Sequence, residues 1–89
     1  MQEYFGIAAF RSRQQVLRFE AALKREGLPV RVISTPREVA LGCGLSVQFP
    51  IEDAPAVIDA VNRLHPEHLI GVYRVEKGGG SSKLTVLRQ

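Results

Sequence analysis

A chain of 89 residues, 45% hydrophobic and 24% charged, has the size and make-up of one globular domain and excludes a disordered chain. Its net charge of +3 is spread along the chain apart from a minor cluster at Arg11, Arg13 and Arg18. That charge favours solubility and gives no nucleic-acid stripe, so nucleic acid is not an expected partner.

One cysteine cannot form an internal disulfide, and nothing points to an oxidising compartment. No apolar run reaches the roughly 18 residues of a membrane span, and no basic-then-apolar leader is seen. No membrane association is expected, and the cytoplasm is the expected location.

Residues 4–10 form an apolar run without helical periodicity, which predicts a central strand. Its small Gly6, Ala8 and Ala9 would let a helix or a second subunit pack closely, so a homodimer through the sheet is one expectation. Ser12 followed by Gln15 is a capping-box spacing that starts a helix. Val16, Phe19 and Leu23 recur at helical spacing, and Gly27 followed by Pro29 ends the segment. Residues 28–34 read as a second strand and residues 45–49 as a third. In the third, Leu45, Val47 and Phe49 point inward and Ser46 and Gln48 outward. Asp53 is the expected cap of a second helix, whose apolar stripe is Ala54, Val57, Ile58, Val61 and Leu64, closed by His65-Pro66. Residues 69–75 read as a fourth strand.

The order β-α-β-β-α-β predicts an α+β, ferredoxin-like two-layer sandwich with a four-stranded antiparallel sheet. Strands one and three are expected centrally, and strands two and four at the edges. The domain is expected over residues 1–76. Residues 77–89 are a Gly/Ser-rich linker followed by a tail or an edge strand.

The loop between the second and third strands is much longer than the roughly two to five residues of an ordinary hairpin. It reads Thr35-Pro36-Arg37-Glu38-Val39-Ala40-Leu41-Gly42-Cys43-Gly44. Thr35 suits an N-cap, Pro36 the first helical position, and Glu38 the capping-box return, so one or two helical turns are expected over residues 36–41. Gly42 would end them, and glycines on both sides leave the Cys43 thiol sterically open.

An apolar strand, Thr-Pro-Arg-Glu-Val, a few small residues and then Cys-Gly-Leu-Ser-Val resembles the selenium/sulfur carrier protein-like family. The likeness extends from Tyr4 to about Tyr73. Members are small bacterial and archaeal domains, and the resemblance implies a carrier rather than a turnover enzyme. It implies that Cys43 holds sulfur or selenium as a persulfide or selenopersulfide, with no other cofactor. Donor and acceptor proteins would be its partners. Thr35, Pro36, Arg37, Gly42 and Gly44 would shape the site.

Read from the residues alone, Cys43 is better taken as a small buried hydrophobe, and it is the resemblance that turns the reading to a functional thiol. Following the C-terminus of a short helix, its thiol would meet a negative dipole end that raises its pKa. Arg37 is the nearest cation to offset this, and its ordinary alternative is a solvated pair with Glu38 or Glu20. His65 and His68 are separated by Pro66 and lack a second cysteine or a carboxylate cluster, so no metal site is expected. The competing class is a regulatory ligand-binding or oligomerisation module in which Cys43 is structural. Single-stranded RNA binding on the sheet lacks both exposed central aromatics and a basic stripe.

Overall fold

The computed structural model describes residues 3–36, 39 and 44–89. Eight residues, Glu3–Phe10, form β1. It is followed by α1 (Arg13–Arg25), β2 (Arg31–Ser34), β3 (Leu45–Phe49), a 3-10 turn (Ile51–Asp53), α2 (Ala54–Leu64), β4 (Leu69–Gly78) and β5 (Ser81–Arg88). All strand pairs are antiparallel, in the order β2-β3-β1-β4-β5. The protein is therefore α+β, with two helices and a five-stranded antiparallel sheet.

Two expectations are corrected here. The sheet has five strands, not four, and β4 is interior because β5 lies beyond it. The linker read at residue 77 is strand through Gly78, and Gly79 and Gly80 turn the chain at φ of 59° and 79°. Those angles suit a tight hairpin turn with glycine at both central positions. With a hairpin that short, residues 81–88 pair along β4 from Gly78 back to Val72.

Helix α1 begins and ends as its sequence dictates. The Ser12 hydroxyl accepts from the Gln15 N–H at 3.4 Å. At the other end Gly27, at φ 84°, donates to the Lys24 carbonyl at 3.0 Å, and Leu28 donates to the Leu23 carbonyl at 3.1 Å. That pair of bonds is the Schellman closure, with Leu28 packed beside the Leu23 cluster. It also explains why β2 starts at Arg31 and not at residue 28: the backbone of Leu28 is still engaged with the helix.

Helix α2 ends at His65, in the left-handed region at φ 46°, with its N–H on the Val61 carbonyl at 3.0 Å. Asp53 precedes it without a side-chain capping bond. Val57, Ala60 and Val61 are buried, whereas Leu64, expected in the stripe, is 46% exposed. Arg63 reaches Asp59 at 2.7 Å and both carboxylate oxygens of Glu26 at 2.9 and 3.0 Å, linking α2 to the end of α1. Hydrogen bonds to Asp59, then to Glu26, hold its guanidinium pKa above the usual value.

The main core lies between the helices and one sheet face. Ala8 and Phe10, Val47 and Phe49, and Val72 meet Val16, Phe19 and Leu23 of α1 and Val57, Ala60 and Val61 of α2. Phe10 and Phe19 stack tilted with ring centres 5.5 Å apart. A second cluster occupies the opposite face, made of Ile7, Ala9, Tyr73 and Val75.

Phe49 lies over Gly6, its partner in the β1–β3 register. A Cβ at position 6 would overlap the ring. Gly6→Ala is expected to cost about 1–3 kcal/mol as overpacking, and clearly less in a Phe49→Leu background. Urea unfolding of the four proteins checks this. Equal costs in both backgrounds would mean that the ring is not the obstacle.

Candidate functional site

The loop from Thr35 to Gly44 leaves and re-enters the sheet at a pinned neck. The Thr35 N–H donates to the Gly44 carbonyl at 2.9 Å. Thr35 Oγ1 lies 2.7 Å from Ser46 Oγ, and both residues are buried. A Cβ on Gly44 would sit 3.1 Å from Thr35 Oγ1 and 3.6 Å from the Phe10 carbonyl. Glycine at 44 thus serves close approach of the two loop ends, a role distinct from the steric opening expected of it.

The register explains where the neck sits. Ser46 pairs with Ile33 on one side and with Ala9 on the other, and Ala9 pairs with Gly71. Paired residues share a face, so Ser46, Ala9 and Gly71 form a row of short side chains on the face away from the helices. Tyr73 bends over that row, because a Cβ on Gly71 would meet its hydroxyl at 2.8 Å. Val39 packs against the cluster of Ile7, Ala9, Tyr73 and Val75, and its N–H closes a turn onto the Pro36 carbonyl at 3.0 Å. The loop is therefore held at both ends and at Val39.

Of the expected site residues, Thr35 and Gly44 are brought together at this neck, and Pro36 follows Thr35 into the loop, where its carbonyl accepts from the Val39 N–H. Arg37, Gly42 and Cys43 lie outside the described residues, as does most of the helical segment expected over residues 36–41. The Thr35 hydroxyl, expected as a helix cap, is directed to Ser46. Ser46 was missed. Its alternation marks it as outward, and it does point away from the helices, yet it is fully buried. A legible signal was the length of the loop that begins at Thr35, one residue of which, Val39, packs on that face.

On the helix side, a groove of about 340 Å³ is lined by Gln15, Arg18, Phe19, Leu64, His65 and Glu67, among others. It lies across the sheet from the neck. His65 caps α2, while His68, at φ 64°, accepts from the Arg11 N–H at 2.9 Å through its carbonyl. Among the described residues no group of three metal-ligating side chains occurs, and no helix is long and apolar enough to cross a membrane.

The fold is a small α+β domain whose long loop leaves and returns to the sheet at a hydroxyl-pinned neck. Residues 5–69 match the family described as "Putative Se/S carrier protein-like". The chain belongs to that family. No curated protein and no solved structure gives a significant match.

The neck makes a measurable prediction. Ser46→Ala or Thr35→Val leaves one buried hydroxyl or its partner unmatched and should cost about 1–3 kcal/mol. The double variant should cost less than the sum of the two. A double-mutant cycle by chemical unfolding measures the coupling, and strict additivity would mean that the hydroxyls do not act as a pair.

Proposed function

We propose that the protein is a sulfur or selenium carrier that acts through the Cys43 thiol. The observation that supports this reading most is family membership over residues 5–69, a span that contains the whole loop. The pinned neck adds to it, because Thr35, Gly44 and Ser46 hold both ends of the segment on which Cys43 lies.

The chemistry is an exchange without net oxidation. A Cys43 thiolate attacks the terminal sulfur of a donor persulfide, a new S–S bond forms, and the donor's S–S bond breaks. The donor cysteine leaves as a thiolate, and Cys43 carries the terminal sulfur. An acceptor nucleophile then takes that atom and returns Cys43 as thiolate. Selenium follows the same balance. No turnover of a small substrate is required, so the protein serves as a relay between a donor and an acceptor protein. A reducing cytoplasm suits a single free thiol.

Thr35, Pro36 and Gly44 shape the site in this reading, Gly42 gives the thiol room, and Arg37 stabilises the anionic sulfur. A ferredoxin-like arrangement of the first four strands, extended by β5 at the β4 edge, belongs to the same reading, and the neighbouring order β2-β3-β1-β4 supports it. The competing reading is a ligand-binding or oligomerisation module with a structural cysteine.

Incubation with a desulfurase-type persulfide donor, followed by intact mass measurement, tests the carrier. The expected product is a one-sulfur adduct that is absent in Cys43→Ser. Arg37→Ala should raise the Cys43 pKa, because it removes a nearby positive charge, and slow loading. Arg37→Lys should recover part of both. Absence of any adduct, together with alkylation of Cys43 only after denaturation, would hand the protein to the competing reading.

A further inference from the structure

The positive charge of the chain is concentrated on one segment. Residues 11–26 hold five basic and two acidic side chains, and the rest of the chain holds seven of each. The whole net charge of +3 therefore belongs to α1 and the residues next to it, which corrects the even spread expected from the sequence. Both acids of the segment are engaged. Glu20 lies 3.4 Å from Lys24 Nζ, and Glu26 holds Arg63 of α2. Among the described residues no carboxylate pairs with Arg11, Arg13, Arg18 or Arg25.

These cations frame an apolar centre. Val16, Phe19 and Leu23 face the core, which turns the opposite side of α1 to solvent. There Arg13, Leu17, Ala21 and Arg25 succeed one another four residues apart in a single row, and all four are exposed. Leu17 is 48% exposed. Arg18 and Lys24 flank the row. The row also begins near the loop. The Phe10 carbonyl, just ahead of α1, lies 3.6 Å from where a Cβ on Gly44 would be. Gly44 follows Cys43 in the sequence, so Arg13 stands at the end of the sheet where the Cys43 loop returns.

We propose that this row of α1 docks the persulfide donor protein, through a donor surface that sets an apolar side chain among carboxylates. The proposal rests on the carrier reading, in which the donor's sulfur is held on a cysteine. Both reacting atoms then belong to proteins, and an interface has to bring them together. Charge complementarity asks for an anionic partner, and the apolar centre selects its kind. A nucleic-acid strand carries one charge about every 3.4 Å, and it would press phosphates against Leu17 and Ala21. An anionic membrane takes up a helix by its apolar face, and that face of α1 is sealed in the core. A second copy of this chain brings no excess of acid, because its remaining charges balance. A protein surface can supply both parts, an apolar contact at the centre and charges at the rim.

Loading is followed by intact mass with two donors, the desulfurase-type protein and free cysteine persulfide. The variants are Arg13→Glu combined with Arg25→Glu, and separately Leu17→Ser. All three positions are exposed, and circular dichroism should show the fold unchanged. With the protein donor, the charge reversal is expected to slow loading about tenfold. Added salt should slow the wild type but not the reversed chain, because it screens exposed charges. Leu17→Ser should slow loading at every salt concentration. With cysteine persulfide all chains should load alike. Loading from the protein donor that ignores all three substitutions overturns the docking and leaves the carrier reading standing. Equal slowing with both donors also overturns it, because the substitutions then act on the thiol. Absence of an adduct from either donor overturns the carrier reading, and the docking with it. A short single-stranded RNA that retains the wild type but not the reversed chain, with loading unchanged, overturns the docking and gives the row to nucleic acid.

Discussion

The burial of β1 on both faces is the constraint on which this structure depends. From Gly6 to Phe10 every residue is buried, so neither side of the central strand can be left to solvent. Two helices supply one cover, with Val16, Phe19 and Leu23 from α1 and Val57, Ala60 and Val61 from α2. No helix is placed on the other face among the described residues. Ile7 and Ala9 are nevertheless fully buried there, against Tyr73, Val75, Val39 and the margin residues Phe5, Ile33, Ile70 and Leu84. The loop and the β4–β5 hairpin therefore take part in the core itself. A loop that also completes the core through Val39 is constrained in where it can go.

Much of this was legible because the signals were local. Ser12 and Gln15 set the start of α1, and Gly27 set its end. Alternation in residues 45–49 set the helix-facing side of β3 correctly. The apolar run at residues 4–10 announced a strand that needed cover on both sides. The second edge of the sheet was less legible. Residues 78–82 have the composition of a flexible linker, and composition does not distinguish a linker from a glycine hairpin turn. Only pairing with β4 resolves the two, and pairing is a long-range property.

The neck was half legible for a similar reason. Thr35 and Gly44 stood out through turn and cap chemistry, which sequence spacing reveals. Ser46 did not, because its partner is a hydroxyl eleven positions away and its burial comes from what lies over the sheet. Polar alternation reads such a residue as solvent-facing. The same blindness affects Tyr73, which is 8% exposed although it faces away from both helices. Predicting either required knowing that this face is roofed.

The neck also separates the fate of the loop from that of the fold. Once Thr35 and Gly44 are joined backbone to backbone and Thr35 is tied to Ser46, the ends of the segment meet at a fixed spacing whatever lies between them. The entropy of closing a loop grows only with the logarithm of its length, about 0.6 kcal/mol for each doubling. Segments of different length and chemistry could therefore be exchanged between these two positions, provided one apolar residue still seats where Val39 does. The neck behaves as a socket, and the segment it holds can change without redesign of the sheet.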